Sequence, residues 1–427
     1  MTITPRRPAG GTRTARTRAR RTGSIAQGRH APAVRLRPRH AAEPPLALPE
    51  LAPPSSAPGA RRIARHAPAR RAYLHAALLR CALYLAPLSV AVAGGGQLGQ
   101  VAWPVPLVTL LLGWTAAQAL TCAGVAIARR ADASTACRLV AAGFGAVTGL
   151  WCALVWIAPA VLLGPHRGLA LVVGLGGLAT LATVTAALVT RAEAAVVRWS
   201  LPCWLLAVAA LAALAGAPVP WLPVGTLLPA AIVVALVRAF RPAMLPGTRR
   251  SFRLTRPELR RAAGYLVIGA SQAIAVGLVW RAGPSGSTAP FWLPLLLAVP
   301  ILEALIGWHT EAGADPAGRR GVTLVTIALL LPPLAAGCAL AIGDVLAPAG
   351  GMLLGGVFAI TYLLAARGRT GLAATLAAAP PLATTALKIL PLPAAGPLPD
   401  AVGVLAATHV AGLLAVALTV ADHRRAS

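Results

Sequence analysis

Residues 238–261 read RAFRPAMLPGTRRSFRLTRPELRR and carry eight arginines against one glutamate. Long apolar segments flank this basic stretch on both sides. Each is close to the roughly 17–25 residues that a helix needs to cross the hydrocarbon of a bilayer. Because arginine is retained on the cytoplasmic side of a membrane, we predict that this stretch is a cytoplasmic loop. It divides the apolar segments six and six.

Twelve apolar segments follow residue 72, and they predict an all-α integral membrane protein with about 12 transmembrane helices in two six-helix halves. Spans 2 and 3 are long enough to cross with a tilt. The predicted spans, numbered along the chain, are 73–94, 101–128, 139–163, 169–190, 199–216, 221–238, 262–280, 290–308, 321–343, 345–366, 371–390 and 402–421.

The arginines outside the basic stretch fix the orientation of these spans. Arg167 and Arg281 lie in the gaps predicted to face outward, whereas the inward gaps are rich in arginine, so both termini are predicted to be cytoplasmic. The preference for arginine over lysine suggests a GC-rich bacterial genome, and hence a bacterial plasma membrane. The arginines in the other inward gaps are Arg129, Arg130, Arg138, Arg191, Arg198, Arg319, Arg320, Arg367, Arg369, Arg424 and Arg425.

Composition excludes a soluble domain. The chain has 427 residues, of which 57% are hydrophobic and 12% charged, with a mean hydropathy of +0.72. A soluble domain has about a quarter of its residues charged, so lipid must be the solvent here. The net charge of +28 lies in a tail and in short loops rather than on one folded face, so we expect no nucleic-acid partner.

The composition also sets the domain boundaries. Residues 1–71 are rich in Arg, Pro and Ala and lack a core, so we predict a disordered cytoplasmic tail. We expect it to orient the first span, and anionic lipid headgroups or a partner protein are alternative targets. The remaining predicted segments are 72–238 (first half), 239–261 (basic linker), 262–421 (second half) and 422–427 (cytoplasmic C-terminus).

Two features suggest that the halves are repeats. Both open alike, with Arg70-Arg71-Ala72-Tyr73-Leu74 before span 1 and Arg260-Arg261-Ala262-Ala263-Gly264-Tyr265-Leu266 opening span 7, and the fourth span of each is rich in glycine. Parallel repeats are a known plan of transporters. The alternative is coincidence in a sequence biased toward Ala, Gly and Arg.

Ionisable and amide side chains inside spans are the candidate substrate or coupling residues. Arg80 and Lys388 predict an anionic substrate if they face a cavity, and otherwise reach the membrane surface. Glu303 and His409 are candidates for a proton relay, with a boundary carboxylate and a structural histidine as the alternatives. Gln118 and Gln272 are polar, uncharged candidates for lining a path.

Paired prolines lie near the centres of span 9 (Pro332, Pro333) and span 11 (Pro380, Pro381). Each proline removes a backbone donor, and broken helices at mid-membrane point to a transport site. We therefore predict helix breaks there, with a simple kink as the alternative.

A short loop suggests one family. Asp315-Pro316-Ala317-Gly318-Arg319-Arg320, between spans 8 and 9, resembles the D-R-x-G-R-R turn of major facilitator transporters, although Pro316 replaces the first Arg and the loop from Arg129 to Arg138 departs from the pattern. This resemblance implies a proton-coupled small-molecule exporter.

The motifs of most enzyme classes are absent. The sequence has no phosphate-binding loop, no carboxylate cluster for Mg²⁺ and no Cys/His cluster. We therefore expect no enzyme activity, no cofactor and no metal.

These patterns favour a secondary carrier. The leading hypothesis is a flippase-type exporter of an amphipathic or lipid-linked anionic substrate, working by rocking of the two halves. The alternatives are the proton-coupled small-molecule exporter and a non-transporting scaffold that recruits partners through its basic tail.

Overall fold

A computed structural model describes residues 78–217, 222–245, 254–282, 316–389 and 396–425, all within the compact unit Pro58–Ser427. The regular structure in these ranges is helical. The helices are α1 (78–84), α2 (Ala86–Ala93), α3 (Gly95–Leu98), α4 (Pro104–Arg130), α5 (Ala133–Ile157), α6 (Ala160–Leu163), α7 (Arg167–Thr190), α8 (Glu193–Leu214), α9 (Val224–Met244), α10 (Arg256–Ala282), α11 (Pro316–Ile342), α12 (Leu346–Ala366), α13 (Thr370–Ile389) and α14 (Pro397–Arg425).

Nine of the described helices are long and apolar enough to cross a membrane, and the described apolar part of α11, Ile327–Ile342, belongs to a tenth span. The predicted all-helical, multi-pass fold is confirmed. Span 8 (290–308) and the predicted tail (1–71) lie outside the described residues. Span 1 is not one continuous helix as predicted, because turns at Leu85 and Gly94 separate α1, α2 and α3.

The two halves pack in the same way. We number the spans of each half from first to sixth. In the second half, the third span touches the fourth and the sixth, the fourth touches the fifth and the sixth, and the fifth touches the sixth. The first span touches the fourth, the fifth and the sixth. Each of these eight pairs also touches in the first half. A chance similarity of composition does not reproduce a packing pattern, so the halves are structural repeats.

The fourth span of each half, α7 in the first and α12 in the second, is the helix around which that half packs. Its glycines make room for large side chains of neighbouring helices. A Cβ at Gly174 on α7 would lie 2.2 Å from the Trp151 indole, and a Cβ at Gly356 on α12 would lie 2.0 Å from the His409 ring. Both rings are buried, so the glycine-rich pattern reflects close packing in each repeat.

Both arginines predicted to face outward have structural partners. Arg167 donates hydrogen bonds to the carbonyls of Trp156 (3.4 Å) and Ala158 (3.0 Å), where α5 ends. Basic side chains stabilise the terminal carbonyls of a helix in this way. Arg281 lies 4.6 Å above the ring of Trp103, within the range of a cation–π contact.

Helices α9 and α10 both extend into the predicted basic linker. The sequence places it at 239–261, but α9 continues to Met244 and α10 begins at Arg256. Arg138 stabilises this extension, because its guanidinium donates to the carbonyls of Ala243 (3.3 Å) and Leu245 (3.2 Å).

Candidate functional site

The halves meet along an antiparallel contact between α4 of the first half and α10 of the second, which we call the seam. Glycines of α10 allow the close approach. A Cβ at Gly277 would lie 2.1 Å from the Leu107 side chain, and one at Gly269 would lie 3.0 Å from Gln118. Small residues permit this close approach between helices in lipid. The approach brings polar side chains of the two helices within hydrogen-bonding distance across the seam.

Five side chains form a hydrogen-bonded cluster at the middle of the seam. Gln272 on α10 is its centre: its Oε1 accepts from Trp114 Nε1 at 3.0 Å and from the Tyr362 hydroxyl at 2.9 Å. Its Nε2 donates to Thr361 Oγ1 at 3.0 Å. Gln118 Nε2 completes the cluster by donating to the Tyr362 hydroxyl. The cluster therefore joins α4 and α10 to α12, the central helix of the second half.

The cluster is uncharged, and its centre is buried: Gln272 and Thr361 are buried, whereas Trp114, Gln118 and Tyr362 are half-buried. Gln272 is 1% exposed, and the Oγ1 atom of Thr115, on the same helix as Trp114, is buried without a hydrogen-bond partner. In a low-dielectric interior each satisfied bond specifies one arrangement, and each unsatisfied group is costly. The cluster can hold the halves in register, or offer amide, hydroxyl and indole groups to a ligand when the halves part.

Charged contacts close both ends of the seam. At the end predicted to be cytoplasmic, Arg130 of α4 forms an ion pair with Glu258 of α10. At the opposite end Arg281 of α10 stacks on Trp103, immediately before α4. In the described structure the two halves are thus in contact from one end of the seam to the other.

The predicted candidates separate into different environments. Gln118 and Gln272 come together, since both bind the hydroxyl of Tyr362. Arg80 pairs instead with Glu193 at the start of α8 (3.8 Å), and Lys388 is exposed in the last turn of α13. The described residues therefore do not combine these two cations into one anion site. Glu303 lies outside the described residues.

His409 lies in the core of the second half. It is 0% exposed, and its Nε2 lies 3.0 Å from the carbonyl oxygen of Leu330 on α11. Its Nδ1 is buried without a hydrogen-bond partner. The ring packs on Gly356 of α12, so a single imidazole touches three helices of the second half.

The paired prolines do not interrupt their helices. The α11 helix is continuous through Pro332 and Pro333, and α13 through Pro380 and Pro381. The predicted breaks are therefore absent. In α13 the hydroxyl of Thr384, one turn on, is satisfied within the helix, because it donates to the carbonyl of Pro380 (2.8 Å).

One small cavity lies inside the first half, between α2, α7, α8 and α9. Its volume of about 20 Å³ holds roughly one water molecule. The Thr180, Thr183 and Ser200 hydroxyls on its walls each donate to a backbone carbonyl of their own helix, and the remaining lining is apolar. Among the described residues no group of His, Cys, Asp or Glu could hold a metal ion.

Sequence reasoning missed Trp114, Thr361 and Tyr362. Tryptophan favours the interfaces of a membrane, yet Trp114 lies in mid-span and donates to Gln272. An indole at that depth needs an acceptor, because lipid offers none. A Trp and a Gln at mid-depth in different spans are the signal that could have suggested the cluster.

The arrangement of two helical repeats around a polar seam defines the class: a polytopic membrane protein with the architecture of secondary carriers. Comparison with known proteins refines it. No protein-family model matches the chain, and no curated protein sequence matches it. Solved structures do, and they are transporters of the MATE family, so the chain has a MATE-like fold.

One such structure is described as the outward-facing conformation of a multidrug resistance MATE family transporter of the MOP superfamily. It has a TM-score of 0.50 and 14% identity, with 83% of this chain and 97% of that chain covered. A MATE in the bent conformation has a TM-score of 0.50 and 14% identity, covering 84% and 96%. A MATE in complex with MaL6 has a TM-score of 0.50 and 15% identity, covering 82% and 97%. These likenesses concern the fold, and they do not favour the major facilitator resemblance.

Proposed function

We propose that this chain is a secondary carrier that exports a small amphipathic molecule across the bacterial plasma membrane, with both termini in the cytoplasm. The observation that carries the proposal is the hydrogen-bonded cluster of Gln272, Trp114, Thr361, Tyr362 and Gln118, which joins two repeated halves at mid-membrane. The MATE-like fold supports the same class of activity.

The cluster suits alternating access. Two halves with separate hydrophobic cores can rock as units, and the seam must then exchange its hydrogen bonds for contacts with water or substrate. When the seam parts, Trp114 and Tyr362 present aromatic faces, and Gln118 and Gln272 present amides. Aromatic surface with a few placed polar groups is the usual lining of a small-molecule site.

The contacts of Arg80 and Lys388 favour the small-molecule version over a lipid-linked anion. Arg80 already faces the carboxylate of Glu193, and Lys388 lies exposed in the last turn of α13. The lipid-linked anionic substrate and binding of the basic tail to anionic lipid stay predictions from sequence. The scaffold hypothesis requires the basic tail for function, whereas the carrier hypothesis does not.

Transport by purified protein in sealed vesicles tests the proposal. Vesicles receive an imposed pH gradient, and movement of a panel of fluorescent amphipathic dyes (neutral, cationic and anionic) and of one fluorescent lipid-linked phosphate is followed. We expect at least one small dye to move faster than in protein-free vesicles. Gln272→Met should slow this movement, whereas Gln100→Met, at an exposed position, should not.

The controls separate the alternatives. Deletion of residues 2–60 should leave dye movement intact if the chain is a carrier. Movement of the lipid-linked phosphate alone would replace the small-molecule version with the flippase. Dye and lipid movement equal to those in protein-free vesicles, with protein shown to be folded and inserted, would refute the carrier.

A further inference from the structure

His409 differs from the acidic side chains that the structure describes. The acidic residues whose side chains the structure describes are Asp132, Glu193, Glu258, Asp344 and Asp400, and each lies at or next to a helix end. His409 instead lies inside α14 with no exposed surface. Buried ionisable groups at this depth are costly and mark functional positions.

The geometry fixes the protonation of the ring in this conformation. Nε2 lies 3.0 Å from the carbonyl oxygen of Leu330, so it must carry a hydrogen and donate. Nδ1 makes no hydrogen bond, although the backbone of Leu353 lies beside the ring. A neutral imidazole therefore occupies the site, with the lone pair of Nδ1 available to take one proton from water.

No described charged group balances an imidazolium at this site. The titratable side chains on the helices packed against α14 make no hydrogen bond or ion pair with His409. Among the described side chains they are Arg256, Glu258, Arg260, Arg261, Tyr265 and Arg281 on α10, Cys338 on α11, Tyr362 on α12, Arg367 directly after α12, Lys388 on α13, and, on α14 itself, Asp400; Arg367 donates to Thr419 of α14 (3.3 Å).

A proton on Nδ1 would place a charge between α11, α12 and α14 that no described side chain balances. A new bond to the Leu353 carbonyl would offset only part of the cost of burying that charge. The protonated state is therefore favoured in a packing that brings water to the ring, and such a packing requires α11 or α12 to move away from α14. The ring fits so closely on Gly356 that a small adjustment inside the pocket is not available.

We infer that His409 is a proton-binding site of the second half, and that loading it with a proton opens the seam. The connection is α12: it holds the ring through Gly356 and, five and six residues on, carries Thr361 and Tyr362 of the cluster. Movement of α12 away from α14 pulls on the hydrogen bonds to Gln272. This inference rests on the proposed carrier function, and it identifies the proton as the coupling ion of that carrier.

Cysteine accessibility in full-length protein in vesicles tests the inference. One reporter is Leu107→Cys, in a variant without the native cysteines. A second is the native Cys122 as the sole cysteine, near Glu258 and Arg261. Labelling by a small maleimide is divided by that of Gln100→Cys at each pH, which removes the pH dependence of thiol reactivity. As the pH falls from 8 to 5.5, we expect the labelling ratio at one reporter or both to rise at least about threefold per pH unit. Coupling to a single proton limits this rise to about tenfold per pH unit.

Two variants assign the response to His409. His409→Gln keeps a donor toward Leu330 but does not titrate, so its ratio should be flat across this range. His166→Gln, at an exposed histidine, should behave as the parent chain. If His409→Gln does not fold, Gly356→Ala replaces it: the added Cβ displaces the ring and should shift the midpoint of the response.

The outcomes are separable from those of the carrier proposal. A flat ratio in the parent chain, an unchanged response in His409→Gln, or an unmoved midpoint in Gly356→Ala overturns the proton site, even if dyes are transported. A response that depends on His409 in a protein that moves no dye supports the proton site and refutes the carrier.

Discussion

Replacing Gln272 with methionine tests whether the cluster holds the halves together. The substitution keeps the length and the apolar stem of the side chain while removing both polar atoms. Trp114 Nε1 and the Tyr362 hydroxyl then lose their acceptor. Thr361 is affected less, because its hydroxyl still donates to the carbonyl of Phe358 at 2.9 Å.

The expected loss in the free energy of unfolding follows from the two donors that lose their acceptor. Hydrogen bonds between helices in membranes contribute about 0.6–1.7 kcal/mol each, and buried unsatisfied donors cost about 1–3 kcal/mol. We therefore expect Gln272→Met to lower the free energy of unfolding by ~2 kcal/mol, which is a factor of about 30 in the equilibrium. Gln118→Met should cost less, about 1 kcal/mol, because Tyr362 keeps its bond to Gln272.

Reversible unfolding in mixed detergent micelles, followed by tryptophan fluorescence, measures these differences. Gln100→Met is the matched control at an exposed position and should stay within about 0.5 kcal/mol of the parent chain. Trp114→Phe combined with Gln272→Met completes a double-mutant cycle, in which the two changes should not add. The reasoning fails if Gln272→Met is as stable as Gln100→Met.

Three further predictions concern stability. Gly174→Ala should destabilise the protein by about 1–3 kcal/mol, because its Cβ would overlap the buried Trp151 indole. Gly145→Ala, with open space around it, should stabilise by up to about 1 kcal/mol; unfolding titrations that rank them the other way would contradict the packing. The Thr135 backbone N–H, then the Ser134 hydroxyl, lower the pKa of Asp132, so its capping of α5 stabilises the fold above an unfolded pKa of about 3.9. The melting temperature should fall as pH drops through and below that value, and less so in Asp132→Asn; equal acid profiles would exclude the cap as the cause. Arg130→Glu and Glu258→Arg should each lower the melting temperature, and the double variant should recover part of the loss but not the bond from Thr255 N to Glu258 (2.9 Å); a double variant no better than the worse single one would show that the ion pair contributes nothing.

The helical plan was predictable because it depends on chain-wide quantities. Apolar length and the placement of arginine identify spans and halves, as residues 238–261 illustrate. The ends of α9 and α10 were not predictable in this way, since they depend on local contacts such as Arg138 with the Ala243 carbonyl. Hydropathy does not record which carbonyl a distant arginine will reach.

The candidate site was predictable only in part. Gln118 and Gln272 were identified because amides are uncommon in apolar spans, but the sequence does not indicate that they share Tyr362. Arg80 illustrates the opposite case. Its partner Glu193 lies 113 positions away, in the gap between predicted spans 4 and 5. Pairing across helices depends on packing, which a single sequence does not specify.

The matching neighbours of the two repeats have a consequence for the origin of the chain. A unit with six crossings begins and ends on the same face of the membrane, so a second copy joined in tandem keeps the orientation of the first without any change in its charges. A unit with an odd number of crossings would have been inverted. The eight shared helix pairs match the pattern that duplication of such a six-crossing unit would leave, and the residues between Met244 and Arg256 would then be the join between the two copies.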